Sequence, residues 1–221
     1  MIPLYHDLSD ETVLVVGGGA VGRRKALRFA EEARVVVVVS PAFDDRLCEA
    51  VAEGDASVEL VRAAPDAATV PEWIDRVAPA LVVAATDDRA VNAAAEATAL
   101  DAGVLVNRTD VSGNRDPGSV VVPATVADDP VRVAVSTGGR SPALSKALRE
   151  RIGAEIEGAG AMAELSGELR EELSEAGVDP MLRREAIRRV VRSEGVWKGL
   201  QKGRSNARRE AENVIEEVVD R

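Results

Sequence analysis

The stretch VLVVGGGAVGRRK, from Val13 to Lys25, has the form of a buried strand, a glycine-rich turn and the start of a helix. An apolar run bounded by turn residues is typical of a strand that is buried on both faces. Gly17, Gly19 and Gly22 have the spacing G-x-G-x-x-G at the mouth of the helix. In such a turn one glycine permits the bend, the next admits a pyrophosphate close to the backbone, and the third lets helix and strand pack tightly. The stretch therefore predicts a dinucleotide at the helix N-terminus, with a purely structural corner as the alternative.

Strand and helix patterns alternate along the next part of the chain. Strand character recurs in four runs, RVVVVVSP, ASVELVRA, ALVVAATDD and VLVNRTD, and helical spacing occurs between them, as in RAVNAAAEATALDAG. This alternation predicts a parallel sheet with helices on both faces. Residues 1–113 are therefore expected to form a doubly wound, Rossmann-like α/β domain.

The pattern changes after residue 113. The stretch GSVVVPATVADDPVRVAVSTGG holds two strand-like runs joined by an Asp-Asp-Pro turn, which predicts a β-hairpin. A helix is predicted to follow, with Ser141 as its N-cap and Pro142 at its first position. The rest of the chain is charged and has helical spacing. We predict a hairpin-and-helix region over 114–150 and a small helical C-terminal domain over 151–221.

The charge balance limits the possible partners. Acidic residues outnumber basic ones by 38 to 28, and the 221-residue chain has a formal net charge of −10, which excludes a generic nucleic-acid binder. No apolar run reaches the length of about 20 residues that a membrane span requires, and no signal-peptide layout is present, so we expect a cytoplasmic protein without a membrane partner. The acidic, lysine-poor composition resembles that of proteins from salt-loving organisms, an ordinary acidic protein being the alternative.

Cysteine and histidine are each present once. The single cysteine, Cys48, excludes an intramolecular disulfide and a thiolate cluster within the chain. The single histidine, His6, argues against a histidine metal site, so we predict no bound metal. Cys48 is expected to face the core from a helix.

Candidate site residues follow the fourth and fifth predicted strands, because ligands of a doubly wound sheet lie outside the carboxyl ends of its strands. Thr86 and Asp87 are predicted to line the nicotinamide side, although Asp87 or Asp88 can also cap the next helix. Asp110 follows the fifth strand on the same rim. A carboxylate there can accept a proton while a nicotinamide accepts a hydride, as oxidation of a C–H bond requires; a turn aspartate is the alternative.

The end of the second strand leaves the choice between NAD and NADP open. An acidic residue about 20 positions after the glycine turn usually binds the adenosine ribose. This chain has Ser40 in that place, with Asp44 and Asp45 slightly beyond. The basic stretch Arg23–Lys25 either favours a 2′-phosphate or forms a solvated first helical turn.

Four stretches, in order, resemble the precorrin-2 dehydrogenase family, which includes the N-terminal part of siroheme synthase: IPLYHDLSDETVLVVGGGAVGRRKA, VVAATDDRAVN, VNRTD and VRVAVSTGGRSPALSKALRERI. The resemblance covers residues 1 to about 155. It implies NAD-dependent oxidation of precorrin-2 to sirohydrochlorin, on the route to siroheme. It also implies a homodimer formed through the 114–150 region. Some members of the family insert iron, but one histidine and one cysteine leave little metal chemistry, so we expect a dehydrogenase without ferrochelatase activity.

The resemblance also assigns site residues. The catalytic aspartate of the family corresponds to Asp110, and a family serine near the substrate pocket corresponds to Thr137. Cofactor contacts fall on the glycine turn and on the end of the second strand, namely Gly19, Ala20, Val21, Gly22, Ser40, Pro41 and Ala42.

The implied substrate carries eight carboxylates, so a chain with net charge −10 must concentrate positive charge where it binds. Arg108 and Arg115 flank Asp110, and Arg140 lies in GGRSP before a predicted helix. Arginine suits bidentate binding of carboxylates, so these three residues are candidates for substrate binding. Scattered surface arginines are the alternative.

Two other functions agree with parts of the pattern. A nucleotide-binding fold with a dimerising tail is compatible with a regulatory sensor that binds NAD without turnover, although such a sensor does not need Asp110 and its neighbouring arginines. The basic stretches RREAIRRVVR and QKGRSNARRE are compatible with a docking site for a partner protein or with a solvated helical face.

Overall fold

A five-stranded parallel sheet forms the centre of the N-terminal part of the chain. Its strands are β1 (Thr12–Val16), β2 (Val35–Ser40), β3 (Val58–Arg62), β4 (Leu81–Ala84) and β5 (Leu105–Arg108), in the order β3-β2-β1-β4-β5. Successive strands are connected through helices α1 (Ala20–Ala30), α2 (Asp45–Ala52), α3 (Val70–Val77) and α4 (Arg89–Asp101). The computed structural model describes residues 3–54, 57–111 and 117–219. The chain folds into two units, Met1–Val122 and Pro123–Arg221.

The sheet is built around β1, as the opening stretch predicts. Val13, Leu14, Val15 and Val16 are at most 1% exposed, since alternate side chains of the strand enter the cores on opposite faces of the sheet. β1 lies between β2 and β4, so the strand order reverses beside it. In open α/β sheets this reversal opens the crevice that holds ligands, outside the carboxyl ends of the strands. The doubly wound fold predicted from the sequence is confirmed.

The outer edge of β5 is covered by the chain that follows it. The N–H of Val120 donates to the carbonyl of Val106 at 2.8 Å, and the amide nitrogen of Asn107 donates to the carbonyl of Val120 at 2.8 Å. The first bond pairs a β5 carbonyl that an edge strand would otherwise expose, and the second ties the covering segment to the strand through a side chain.

The C-terminal unit begins with the predicted hairpin. Strands β6 (Ala124–Asp128) and β7 (Val131–Val135) pair antiparallel, with Val126 opposite Val133. Helix α5 (Pro142–Glu155) packs against both strands, and the Ser141 hydroxyl caps it by accepting from the N–H of Leu144 at 3.3 Å. The hairpin, the helix and its N-cap therefore agree with the sequence prediction.

Four further helices pack around a separate core: α6 (Ala159–Glu175), α7 (Pro180–Arg192), α8 (Glu194–Gln201) and α9 (Arg204–Val219). Met162, Leu165 and Val190 are among its buried residues, and Gly199 brings α8 within close backbone reach of α9. A Cβ on Gly199 would lie 2.7 Å from the Cα of Ala207.

In contrast, β6, β7 and α5 contain no fully buried residue, so this layer has no core of its own.

The prediction that Cys48 faces the core is wrong. Cys48 lies in α2 but is exposed, while its neighbour Leu47 is the buried residue of that helix. Leu47 and Val51, one helical turn apart, pack on the core of the sheet, which turns Cys48 outward.

Within the described ranges, no helix combines the length and apolarity needed to cross a membrane.

Candidate functional site

The glycine turn between β1 and α1 is shaped by close backbone approaches. Gly17 has a φ of +113°, and a Cβ there would lie 2.5 Å from the carbonyl oxygen of Ala85 at the end of β4. A Cβ on Gly18 would lie 2.5 Å from the carbonyl oxygen of Ala42. A Cβ on Gly22 would overlap the carbonyl oxygen of Gly17, so only glycine lets α1 pack this closely on the turn.

Gly19 differs from these glycines because it faces open space. No described atom lies within 4 Å of a Cβ built on it, and it is the N-cap of α1. No described side chain caps this helix, and the first backbone bond runs from the N–H of Arg23 to the carbonyl of Gly19 at 2.8 Å. The three earlier N–H groups of α1 belong to Ala20 and Val21, which are exposed, and to Gly22. The turn therefore offers unpaired donors and a helix N-terminus to an anion, which fits a dinucleotide pyrophosphate.

The segment after β2 folds onto this turn. Ser40 is buried, Pro41 and Ala42 are exposed, and the N–H of Asp44 donates to the carbonyl of Gly18 at 2.8 Å. The Asp44 carboxylate caps α2 and forms an ion pair with Arg23, with 3.2 Å between Nε and Oδ1. The segment predicted to contact the cofactor thus lies against the glycine turn.

A cavity of about 400 Å³ lies beside this segment, lined by Arg23, Phe43, Asp44, Asp45 and Arg46. Sequence reasoning missed two features here, the need for a glycine at position 18 and the Arg23–Asp44 pair. The run of three consecutive glycines was a signal for the first. The second depends on tertiary packing.

At the end of β4, Thr86 is held by Asn92 of α4. The Thr86 N–H and hydroxyl donate to Oδ1 of Asn92 at 3.1 and 2.8 Å, and Nδ2 of Asn92 donates to the Thr86 carbonyl at 2.9 Å. Asn92 is fully buried, whereas Asp87 is exposed. Of the two possible N-caps, Asp88 is the one the structure uses, since it accepts from the N–H of Ala90 at 2.7 Å.

At the end of β5, Asp110 forms a bidentate pair with Arg108. Nε and Nη2 of Arg108 donate to its two carboxylate oxygens at 2.8 and 3.1 Å, while Nη1 donates to Glu96 of α4 at 3.0 Å. Only 19% of the Asp110 side chain and 15% of the Arg108 side chain are exposed. Thr109 anchors the strand end through two bonds to the carbonyl of Ala84 in β4.

The pair with Arg108 favours the ionised form of Asp110. Hydrogen bonding from Arg108 is the main cause that lowers the pKa of Asp110, and partial burial opposes it. The same hydrogen bond is the main cause that raises the pKa of Arg108. Asp110 is therefore an ionised carboxylate at neutral pH, and it lies on the rim next to the end of β4.

Three predicted residues remain. Thr137 and Arg140 belong to the C-terminal unit, at the turn before α5, and Arg115 lies outside the described residues. The Thr137 hydroxyl accepts from the N–H of Ser141 at 3.2 Å, and Arg140 is exposed. Within the described ranges, no group of three or more histidine, cysteine, aspartate or glutamate side chains is placed to hold a metal ion.

Two family models match the chain. One described as putative NAD(P)-binding covers residues 4–124, and one described as sirohaem biosynthesis protein central covers residues 128–155. The chain is 35% identical over 220 residues to the siroheme synthase of Methylococcus capsulatus, covering 99% of this chain and 43% of that relative. It is 33% identical over 207 residues to siroheme synthase 3 of Aeromonas hydrophila, covering 92% and 42%. The chain thus spans less than half the length of these relatives.

A solved structure has a similar fold. The chain matches SirC, precorrin-2 dehydrogenase, with a TM-score of 0.71 and 23% identity, and the match covers 98% of this chain and 100% of that chain. The likeness shows a shared fold over nearly the whole length of both chains.

Proposed function

This chain belongs to the putative NAD(P)-binding family, and we propose that it oxidises precorrin-2 to sirohydrochlorin with NAD as the hydride acceptor. One observation carries the proposal. An open glycine turn and an ionised carboxylate, Asp110, lie on the same carboxyl-end rim of the sheet, where a doubly wound fold binds its ligands. The match to the sirohaem biosynthesis central model over residues 128–155 supports the substrate class.

The reaction removes one hydride and one proton from the macrocycle. NAD, when bound, supplies the hydride acceptor. The glycine turn, with Gly17, Gly19 and Gly22, holds the pyrophosphate, and the Ser40–Ala42 segment borders the adenosine end. Thr86, fixed by Asn92, lines the nicotinamide side together with Asp87.

Asp110 receives the proton in this proposal. The carboxylate is in the accepting form at neutral pH, and because its pKa is lowered it passes the proton on to solvent readily. A neutral aspartic acid could not accept the proton at all. Arg108 acts as a positioning residue, because it holds both oxygens of Asp110 and is itself held by Glu96.

Substrate binding is assigned to other arginines. We propose that Arg140 and Arg115 receive carboxylates of the macrocycle and that Thr137 contributes its hydroxyl to substrate binding. The exposure of Arg140 and its position just before α5 support its role in substrate binding. Arg108 also places a positive charge near Asp110. Because its guanidinium pairs with both Glu96 and Asp110, we assign it to the positioning of Asp110 before substrate binding.

We also propose a homodimer formed through the 114–150 region, between the NAD-binding domain over 1–113 and the helical domain over 151–221. The layer of β6, β7 and α5 contains no fully buried residue, and Leu144 is 49% exposed. A second copy would complete this core. Sedimentation velocity tests the assignment: Leu144→Glu is expected to give monomers, while Leu182→Glu in the helical domain, 40% exposed, keeps the dimer. A monomeric wild-type chain would contradict it.

The test of function is an anaerobic assay with NAD and freshly generated precorrin-2, following NADH and the sirohydrochlorin spectrum together. High salt is used because we propose that screening of the net charge of −10 supports the folded state. Asp110→Asn is expected to lower kcat by roughly 10²–10⁴-fold, the usual contribution of a positioned acid or base, while NAD binding is retained. Asp75→Asn, which changes an exposed carboxylate of α3 away from the strand ends, is the matched control with near wild-type activity.

Each outcome separates the alternatives. A folded wild-type chain that binds NAD but does not turn over precorrin-2 would favour a regulatory sensor. Turnover that survives in Asp110→Asn would keep the reaction and remove Asp110 from its centre. Adding ferrous iron to the sirohydrochlorin formed tests for ferrochelatase activity, which we do not expect.

A further inference from the structure

Four arginine side chains line one cavity in the helical part of the C-terminal unit. Arg170 of α6 and Arg183, Arg184 and Arg188 of α7 line a cavity of about 480 Å³, together with the partly buried Ile187. None of these residues belongs to the cofactor or proton-transfer site. The cavity therefore needs an explanation of its own.

Two arginines of α9 in the same unit are paired with acids of α6. Arg208 of α9 donates to Glu172 of α6 at 2.8 and 2.6 Å, and Arg204 pairs with Glu168 of the same helix. The cavity arginines differ, since no described acidic side chain pairs with Arg170, Arg183 or Arg184.

Arg188 alone among the four has a described acidic partner, Glu185, at 3.0 Å. Three acids of α6, Glu164, Glu168 and Glu172, pair instead with arginines of α9.

The concentration of positive charge runs against the composition of the chain. Helix α7 carries five arginines and one glutamate in a protein with net charge −10. Placing like charges around one concavity is unfavourable unless an anion neutralises them. The arginines around the cavity thus concentrate positive charge in a protein of negative net charge. Such a site attracts a compact anion with several charges.

We propose that this cavity binds a carboxylate-bearing edge of the tetrapyrrole, as a second site built entirely from α6 and α7. The inference rests on the proposed function for the identity of the ligand. Guanidinium groups bind carboxylates in a bidentate manner and also stack on flat conjugated rings, while Ile187 supplies an apolar contact for the macrocycle. A concave site of this size favours a compact polycarboxylate over an extended acidic polypeptide.

The experiment titrates the full-length protein with uroporphyrin, a fluorescent porphyrin with eight carboxylates, so that no turnover is needed. The test variant is Arg183→Ala/Arg184→Ala. The matched control is Arg192→Ala/Arg209→Ala, which removes the same charge from exposed positions that do not line the cavity. The test variant is expected to lose one binding site per chain or to bind it about tenfold or more weakly, with wild-type thermal stability. The control is expected to keep wild-type stoichiometry and affinity.

Several outcomes would overturn the inference. These are no uroporphyrin binding by the wild-type chain, equal binding by wild type and the test variant, or equal losses in test and control variants, which would indicate diffuse attraction. A test variant that loses hexaglutamate binding but keeps uroporphyrin binding would assign the cavity to an acidic polypeptide instead.

The result also stands apart from the test of function. Loss of a uroporphyrin site in the test variant supports the cavity even where the wild-type chain shows no dehydrogenase activity. Conversely, an active enzyme whose uroporphyrin binding is unchanged in the test variant keeps the proposed function and loses the cavity.

Discussion

Alanine substitutions at two positions of the glycine turn should separate stability from cofactor binding. We expect Gly22→Ala to lower the free energy of unfolding and Gly19→Ala to lower the affinity for NAD. Gly22 lies where α1 meets the turn, and a methyl group there would overlap the carbonyl oxygen of Gly17 and approach Val15 at 3.6 Å. Gly19, three residues earlier, has open space around it and a φ of −75°, which any residue can adopt. Gly22→Ala therefore tests packing, and Gly19→Ala tests the approach of the ligand.

The magnitudes follow from these surroundings. Overpacking in a well-packed core costs about 1–3 kcal/mol, and the clash at Gly22 is with backbone, which cannot rotate away. The gain in helix propensity from glycine to alanine, about 1 kcal/mol, does not offset a clash of this kind. We expect Gly22→Ala to lose about 2 kcal/mol and to melt roughly 4–8 °C lower. Gly19→Ala is expected to lose less than about 1 kcal/mol, the scale of a helix N-cap.

The affinity for NAD, in contrast to the stability, should be lowered specifically by Gly19→Ala. A methyl group on Gly19 projects into the space through which the pyrophosphate reaches the N–H groups of α1, so the Kd for NAD should rise about tenfold or more without unfolding. Thermal unfolding with and without NAD, together with calorimetric titration, measures both effects. Wild-type NAD affinity in Gly19→Ala, or a wild-type melting temperature in Gly22→Ala, would refute the assignment of the turn.

Four further predictions concern single side chains. Asp44→Asn removes a carboxylate beside the glycine turn that would repel a 2′-phosphate, so the ratio of NADP to NAD affinity should rise about tenfold in paired titrations. Arg108→Gln removes the main cause of the lowered Asp110 pKa. That pair stabilises the fold above the unfolded-state pKa of about 3.9, and its contribution is lost as the pH falls through the folded-state pKa, so urea titrations should show wild type and variant converging in acid. Glu96→Gln should lower kcat for precorrin-2 by about tenfold and leave the Kd for NAD unchanged, because it loosens Arg108 without touching the glycine turn. Gly167→Ala in α6, where no described atom lies within 4 Å of the added Cβ, should stabilise the chain by up to about 1 kcal/mol in denaturant titrations; a loss of stability would indicate a neighbour at that surface.

The fold was predictable where local patterns and burial agree. β1 carries a valine-rich run that is buried on both faces, and a glycine turn follows it directly, so strand, turn and helix could be placed from the sequence. Asp110 was predictable as a rim residue because the carboxyl ends of parallel strands share one edge. Glu96, the second acidic partner of Arg108, was not, since it lies 12 residues before Arg108 on α4 and meets it only after folding.

Two other features depended on packing that the sequence does not express. Asn92 sits in an alanine-rich helix with nothing local to mark it as buried, and its role becomes visible only through its three bonds to Thr86. The stretch DRLCEAV predicts that Cys48 faces the core from a helix, but the inward face of α2 is set by Leu47 and Val51. In both cases the rotation of a helix about its axis decided the outcome, and short helices with few large apolar residues specify that rotation weakly.

Helix α4 connects the two halves of the rim. Asn92 and Glu96 are four residues apart, so they lie on one face of this helix. Asn92 fixes Thr86 at the end of β4, while Glu96 fixes Arg108, which in turn fixes Asp110 at the end of β5. Asn92 also contributes, as the smallest cause, to the lowered pKa of Asp110. Thr86, which we propose lines the nicotinamide side, and Asp110, which we propose receives the proton, are thus held by consecutive turns of the same helix. A hydride and a proton leaving one substrate require acceptors at a fixed separation, and a shared helix supplies that separation more rigidly than two independent loops would.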